Sequence, residues 1–590
     1  TFLMRLRYVV IDELHVLRGV FGTHVGHLLR RLRRLCAAYG ASPTFVFTSA
    51  TIGSPGRLAA DLCGHEVVEV TTDGSPRGER LVALVDPQRM SGPSSALTGN
   101  RITAGLVADL VRSGHRTLAF CRSRAGTEVV AAEVVRRHPE LLGRVRPYRG
   151  GFLASERREI EAQLFSGQLG GVVATSALEL GVDIGGLDAC VLNGFPGTIA
   201  SMRQQMGRAG REGQPSLAVL VAGQDQLDHY FCDHPDEVFS RSPEPAVINP
   251  ANPYVLDPHL ACAAYEGPLS HTDERWWGDN LDDGVRRLVI EDRLRLRPRR
   301  GRVHAVWAAR GHPASGMGLR NGSSDEVQIA FADGTLVGTV DASRAADLVH
   351  PGAVYLHQGR PHRVVDLDPD DAVATVEPAD GREYTLARTD VALRVLGTDR
   401  TRSVGRLGLS LGTVEVTSRV TGYQRRQVVG GEILGVEALD LPPSHLVTRG
   451  YWWTVPRDVL ADGPVAKGDL PGALHAIEHA AIGILPLFTI CDRWDVGGVS
   501  TPWLDQTEAP TIVIYDGYPG GAGVAELGFE AADRQLTTTL ELLETCRCTD
   551  GCPSCVQSPK CGSWNEPLAK DAAAQLLRAA GIRSVHHAPA

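Results

Sequence analysis

The sequence predicts an α/β protein: two doubly wound units, the first incomplete, followed by smaller accessory units. Three observations carry this expectation. Short apolar runs that suit buried parallel strands alternate with helical spacing over roughly the first 240 residues. Shorter, alternating runs broken by DG and GR turns follow between 325 and 397. Five of the twelve cysteines then crowd into Cys546–Cys561.

Taken in order, LRYVVI (6–11) is an apolar run ending in acidic residues, as expected of a parallel strand whose C-terminal end carries chemistry. His24 to Tyr39 has helical spacing, with Leu28, Leu29, Leu32 and Leu35 as its apolar stripe. TFVFT (44–48) is a second strand and leads into SATIGSP. A new α/β unit begins near residue 100. TLAFC (117–121), GVVAT (171–175), ACVLNG (189–194) and LAVLVAG (217–223) are its strands, with a helix at 126–137. The Pro-rich stretch 243–258 reads as a linker. Helices followed by LVIEDRLRLRPRRGRVHAVW suit a winged helix, and 325–397 suits a small β-barrel. The last part is mixed α/β. It has a helix near 472–485, the strand TIVIYD (511–516), the turn YPGGAG (518–523), a helix near 534–545 and the cysteines. The expected divisions are 1–95, 96–240, 245–310, 311–430 and 431–590.

A chain of 590 residues fits about three to five domains. No apolar stretch approaches the ~18 residues needed to span a bilayer, and no signal peptide opens the chain, so no membrane partner is expected. Without a secretory signal, the tight cysteine cluster reads as a metal site in reducing cytoplasm. The net charge of −9 does not exclude nucleic acid, because phosphate contacts need only a local basic surface. Two such surfaces are candidates: Arg30, Arg31, Arg33 and Arg34, and the run from Arg293 to Arg302. Solvated faces are the plain alternative for both.

Four short motifs carry the chemistry. Asp12-Glu13-Leu14-His15 follows the first strand. An Asp at such a strand end holds Mg²⁺ in P-loop ATPases, and a neighbouring Glu orients the attacking water. Ser49-Ala50-Thr51, at the next strand end, offers hydroxyls to that acidic pair. Thr175 and Ser176 open the segment ATSALELGVDI at a helix N-terminus, a natural phosphate site, and Asp183 can reach the nucleotide ribose or the acidic motif across the cleft. Gln204-Gln205-Met206-Gly207-Arg208-Ala209-Gly210-Arg211 places two arginines three apart on one face, the positive charge that phosphoryl transfer needs.

DELH, SAT, ATSALELGVDIG and QQMGRAGR resemble, in order and spacing, motifs II, III, V and VI of superfamily 2 helicases. Cys121-Arg122-Ser123 resembles motif IV. Tyr148-Arg149-Gly150-Gly151 resembles the segment between motifs IV and V that contacts the nucleic-acid backbone. The run DELHVLRGVFGTHVGHLLRRLRR and the C-terminal cysteine module are similar to the MrfA/YprA group of DEAD/DEAH-box helicases. The resemblance implies tandem RecA-like domains and an ATP-driven 3′→5′ motor on single-stranded and duplex DNA, in DNA repair, with RNA as the alternative substrate. A non-enzymatic nucleic-acid-binding protein is the alternative from another class. The helicase resemblance implies catalytic roles for Asp12 (on Mg²⁺), Glu13, His15, Arg208 and Arg211. It implies ATP contacts from Gly181, Asp183 and Gln204 and nucleic-acid or coupling roles for Ser49, Thr51, Arg122, Arg149, Gly150, Thr175 and Ser176. No GxxxxGK[ST] phosphate loop occurs in the 590 residues. Truncation before the first strand is the expected account.

In the cysteine cluster, Cys552-Pro-Ser-Cys555 is a C-x-x-C turn that lets two thiolates meet one Zn²⁺. Cys546, Cys548 and Cys561 compete for the other two places, with Cys548 and Cys561 preferred. A structural zinc is expected, and an iron–sulfur cluster is the lesser alternative. The turn Tyr515–Gly521 resembles one that accompanies this module and reads as a close approach of backbone, or as a DNA contact. His24, His27, His259 and His362 read as structural. Trp276, Trp277, Trp452 and Trp453 read as core packing before base stacking.

Overall fold

The computed structural model describes residues 2–584, except 51, 73, 75–77, 92–97, 150–151, 153, 180–184, 212, 300, 316, 320–325, 358–359, 429–430, 463–464 and 492–494. The first lobe holds two parallel strands, Tyr8–Ile11 and Thr44–Phe47, joined through the long helix Gly19–Ala38. That helix starts one turn earlier than its leucines suggest. It buries Val20, His24, His27 and Leu29, while Leu28 is 44% exposed. Of the expected leucine stripe, Leu29 is buried, Leu32 and Leu35 are half-buried and Leu28 is exposed, so the stripe packs only in part. Polar side chains are packed as well, because another domain covers them.

The second lobe is a six-stranded sheet, parallel throughout. Its order is Arg80–Val85, Ser216–Val221, Ala189–Asn193, Thr117–Cys121, Gly171–Ala174, Val145–Tyr148. The central strand Thr117–Cys121 is buried at every residue, which explains its apolar run Leu118–Cys121. The edge strand Arg80–Val85 belongs to this sheet, although it precedes the division expected at 95/96.

Helices Pro253–Glu266 and Asn280–Ile290 pack together with the antiparallel hairpin Leu294–Arg299/Arg302–Trp307, a winged-helix arrangement. A small barrel-like sheet of five strands follows, in the order Leu336–Asp341, Glu326–Phe331, Val373–Pro378, Arg360–Asp368, Val354–His357. The C-terminal unit is built on a hairpin of two very long strands, Glu383–Val404 and Leu407–Gln427. The second of these pairs with Ser444–Thr454, which continues into Ala509–Asp516 and Val496–Leu504. This ladder crosses the division expected at 430/431. Short alternating runs on either side of small turn residues look alike whether they close a small barrel or lengthen one hairpin.

Helix Leu470–Ile484 and the turn after it correct one expectation. Leu470–Leu487 is long and apolar enough to cross a membrane by length and composition, but 83% of it is buried inside the protein. It packs against helices Val524–Thr545 and Lys570–Ala579 and against the C-terminal sheet. Trp277, Trp452 and Trp453 are all buried, so they pack cores as expected. Trp276 is half-buried beneath the guanidinium groups of Arg33 and Arg275.

The first arginine cluster is internal. Arg30 donates to the Asp61, Leu62 and Trp276 carbonyls, and Arg33 to the Cys63 and Gly64 carbonyls. Arg31 pairs with Glu266, and Arg34 with Asp273. Arg34 also donates to the carbonyls of Ala263, Gly267 and Pro268. The guanidiniums thus sit on the carbonyl ends of two helices, Pro55–Cys63 and Pro253–Glu266, where the helix dipole favours cations. They fasten the winged helix to the first lobe. On the wing, by contrast, Arg295 and Arg297 are exposed.

Candidate active site and metal centre

The first lobe's strand Tyr8–Ile11 ends directly at Asp12 and Glu13. Glu13 has φ 55°, a left-handed conformation that costs a non-glycine residue about 1–3 kcal/mol. The Asp12 carboxylate accepts from the Glu13 amide at 2.8 Å and from the Thr48 hydroxyl. Those two donors, the hydroxyl first, hold its carboxyl below the usual range and keep it ionised. The partner hydroxyl is thus Thr48, one residue before the expected Ser49. Thr48 continues the strand beside Ile11, its amide donating to the Ile11 carbonyl at 2.9 Å, so its side chain is level with Asp12. Ser49 lies one residue on, in the cleft wall. Thr51 lies outside the described residues.

Across the cleft, helix Ile199–Met206 carries Gln204 and leads into Gly207 and Arg208. Asp12, Glu13, Thr48 and Ser49 on one side and Gln204, Gly207, Arg208 and Arg211 on the other line one cleft of about 370 Å³. His15 bridges it. Its Nε2 lies 3.2 Å from Gln204 Nε2, and its Nδ1 lies 3.4 Å from Glu13 Oε2. Burial lowers the His15 pKa, so the ring is neutral near pH 7. An amide NH₂ can only donate. This assigns the ring proton to Nδ1, facing Glu13, and the lone pair on Nε2 to Gln204.

Reading motifs residue by residue misses the hub of the second lobe, Glu179. Its carboxylate accepts from Ser201 Oγ at 2.5 Å and Gln205 Nε2 at 2.8 Å, and its carbonyl accepts from the buried Arg208 guanidinium. Burial raises the carboxyl's pKa, while the two side-chain donors and Arg208 oppose the rise. The available signal is an acidic residue inside ATSALELG, in a turn followed by an otherwise apolar strand. A second carboxylate, Glu244 from the linker, accepts from the Ile199 and Ala200 amides at 2.8 and 3.4 Å, on the positive end of the same helix. Arg211 is exposed at the cleft's mouth.

The expected nucleic-acid contacts gather on one rim. Arg122, Arg149, and Thr175 with Ser176 follow the C-terminal ends of three adjacent parallel strands, where α/β sheets place their ligands. Arg122 pairs with Asp225 at 2.8 Å. Arg149 pairs with Glu128 at 2.7 Å and lies over the Phe152 ring. Thr175 Oγ1 accepts from the Ala177 amide, and Ser176 is exposed. Gly150, Gly181 and Asp183 lie outside the described residues.

The cysteine cluster resolves differently from the preferred pairing. Cys546, Cys548, Cys552 and Cys555 converge, with Sγ–Sγ separations of 3.5 Å (546–548 and 546–552), 3.4 Å (548–555) and 3.7 Å (552–555). A tetrahedron with Zn–S of about 2.3 Å has edges of roughly 3.8 Å, so four thiolates at these spacings fit one Zn²⁺. Cys546 leaves helix Val524–Thr545 with an extended backbone, yet its sulfur and that of Cys548 lie 3.5 Å apart and face the same point. Lys570 donates to the Cys546 and Cys548 carbonyls at 2.6 and 2.7 Å, placing a cation beside the thiolates. Cys561 is elsewhere, 3.5 Å from His475 Nε2.

The glycine-rich turn is a backbone junction. Asn252 donates to the Pro519 and Gly521 carbonyls at 2.8 and 2.9 Å. Buried Asp516 accepts from the Ala522, Gly523 and Ala525 amides. His24, His27 and His259 form one buried group between the first lobe and the winged helix. Arg31 donates to His259 Nδ1 at 3.2 Å, so His259 Nε2 donates to His24 Nδ1 at 3.1 Å, and both rings are neutral. His362 is buried in the five-stranded sheet, its ring edge-on to Phe331.

Family models match in three places: the helicase conserved C-terminal domain over residues 102–213, the HRQ1-type winged-helix domain over 248–322, and the MrfA Zn-binding domain over 477–556. The ATP-dependent helicase YprA of Bacillus subtilis is 38% identical over 559 residues, covering 93% of this chain and 73% of that protein. The ATP-dependent helicase HRQ1 of Saccharomyces cerevisiae is 31% identical over 98% of this chain, which spans 56% of HRQ1. A crystal structure of the DUF1998 helicase MrfA bound to DNA is 36% identical with a TM-score of 0.69, covering 98% of this chain and 76% of that one. The shared lobes, winged helix and four-cysteine module place the chain in the MrfA/YprA family of ATP-dependent helicases with a C-terminal zinc-binding domain.

Proposed function

We propose that this protein is a 3′→5′ DNA helicase and translocase that works in DNA repair, in the cytoplasm, powered by ATP and Mg²⁺. The observation that carries the reading is the single cleft in which the ionised Asp12 and the adjacent Glu13 face Gln204, Arg208 and Arg211 of the other lobe. Bound Mg²⁺ supplies charge neutralisation on the phosphate oxygens, and Asp12 is placed to hold it. Glu13, its carboxylate 3.4 Å from His15 Nδ1, orients the attacking water. Arg208 and Arg211 meet the charge that develops on the transferred phosphoryl group. Gly181 and Asp183 complete the nucleotide contacts.

His15 and Gln204 join the lobes directly, so the occupant of the cleft sets how the second lobe's rim meets a nucleic-acid strand. Arg122, Arg149, Gly150, Thr175 and Ser176 grip phosphates there, and Ser49 and Thr51 couple the grip to the acidic pair. DNA is favoured over RNA because the structurally similar MrfA was solved bound to DNA, and because the winged helix presents an exposed basic hairpin. Strand displacement by protein from the complete open reading frame tests this reading. Unwinding is expected on DNA with a 3′ tail, with Glu13→Gln abolishing it. Equal unwinding of 5′-tailed DNA or of RNA duplexes would refute the polarity or the substrate.

A further inference from the structure

We propose a second metal site, distinct from the four-cysteine centre, in which His475, His479 and Cys561 bind one Zn²⁺. His475 and His479 are one helical turn apart on the buried helix Leu470–Ile484 and so lie on the same face. Cys561 comes to that face from the segment between the zinc module and the last helix. The three candidate donor atoms all lie within 4.8 Å of one another.

Three observations select a metal over a plain polar cluster. First, His475 donates through Nδ1 to the Pro567 carbonyl at 2.8 Å, and His479 through Nδ1 to the Val556 carbonyl at 2.7 Å. A carbonyl can only accept, so each ring carries a proton on Nδ1, and in the neutral rings each Nε2 offers its lone pair to a metal. Metal-ligating histidines are oriented in this way by a backbone carbonyl behind the ring. Second, His475 Nε2 lies 3.5 Å from Cys561 Sγ. Bond lengths of about 2.3 Å for Zn–S and 2.0–2.1 Å for Zn–N give a ligand–ligand edge of roughly 3.5 Å at the tetrahedral angle. Third, the sulfur is already oriented, accepting from the Asn565 amide at 3.2 Å. Two imidazoles and one thiolate suit Zn²⁺ rather than Mg²⁺ or Ca²⁺. Three protein ligands leave a fourth position for water; the Ser563 hydroxyl, 3.2 Å from Cys561 Sγ, borders it.

The consequence is architectural. The four-cysteine centre closes the loop 546–555 on itself, whereas this site ties the following segment to a helix some eighty residues earlier. The fifth cysteine, surplus to the first zinc, has a use, and so does the H-x-x-x-H pair.

Metal content of the full chain tests the proposal. Mass-spectrometric metal analysis should give two zinc ions per chain, falling to one in Cys561→Ser and in His475→Gln. With cobalt substituted for zinc, each variant should keep the four-thiolate absorption spectrum, which reports an intact fold. Zinc X-ray absorption of the unmodified chain needs no variant. It should fit about 2.5 sulfur neighbours per zinc, the mean of four and one, with nitrogen making up the rest. One zinc per chain with four sulfurs and no nitrogen would overturn the proposal. So would two zinc ions that both substitutions leave in place.

Discussion

Replacing Arg34 with alanine should loosen the winged helix from the first lobe by about 3–5 kcal/mol. The Arg34 side chain is 11% exposed and that of Asp273 is 9% exposed, with Nε to Oδ1 at 2.8 Å. Removing one member of so buried a pair strands the other charge, at a cost of about 3–5 kcal/mol. The carbonyls of Ala263, Gly267 and Pro268 lose charged donors at 2.8–2.9 Å. They end a helix and can be rehydrated, so they add little. At about 1.4 kcal/mol per tenfold, amide exchange over Ala263–Glu266 should accelerate by roughly 10²- to 4 × 10³-fold when measured by hydrogen–deuterium exchange. Arg34→Lys keeps the charge but not the planar fork, and should fall between. Asp273 also caps its own turn through the Ser270 amide at 2.9 Å. Asp273→Asn therefore has a cost of its own, and the double mutant isolates the pair. Less than a tenfold change in Arg34→Ala, or a coupling energy near zero, would refute the staple.

Three further outcomes are expected. His259 is buried beside Arg31 and His24, and burial first, then Arg31, lowers its pKa to about 3. An unfolded histidine titrates near 6.5, so this ring contributes full stability above that pH and loses it as pH falls from 6.5 towards 3. The loss is about 1.4 kcal/mol at pH 5.5, and His24 and His27, lowered in the same direction, add to it. Chemical denaturation at pH 7.5 and 5.5 should show the fall, with His259→Gln flattening it; equal stability at both pH values would contradict the argument. Glu179→Ala removes the acceptor for Ser201 and Gln205 and the carboxylate charge beside Arg208, though not the backbone carbonyl that Arg208 binds; this loosens the helix leading to Arg208, so ATP turnover by protein from the complete reading frame should drop about 10²-fold. Turnover within threefold of the parent would rule out that positioning role. Gly520 has φ +70°, and a Cβ there would meet Asn252 Oδ1 at 2.2 Å. Gly520→Val should therefore cost about 2–4 kcal/mol, from left-handed strain plus the displaced Asn252; an unshifted thermal midpoint would refute this.

Much of the architecture was legible because it rests on period and adjacency. A fully buried parallel strand is apolar along nearly its whole length, and the stretches LAFC, GVVA and ACVL are. An acidic pair at the end of such a strand can be placed without coordinates, as can two arginines three apart beyond a helix. What escaped depends on partners distant in sequence. Thr48 and Ser49 differ only in which one is level with Asp12, a matter of register. Arg30–Arg34 look the same whether water or another domain receives them. Leu28 and Leu32 suggested an apolar stripe, but the face of that helix is chosen by His259 and Glu266, more than two hundred residues on. The zinc ligands turned on whether the Cys546 and Cys548 sulfurs converge, which spacing alone does not say.

The arginine staple has a mechanical corollary. The wing travels with the first lobe, while the second lobe is fastened to the zinc domain by Gln226 on the Cys555 carbonyl, His234 on Glu541 and Arg241 on the Leu487 carbonyl. A small change in the width of the nucleotide cleft thus swings two long arms about a short pivot near residues 243–252, and the displacement grows with distance from that pivot.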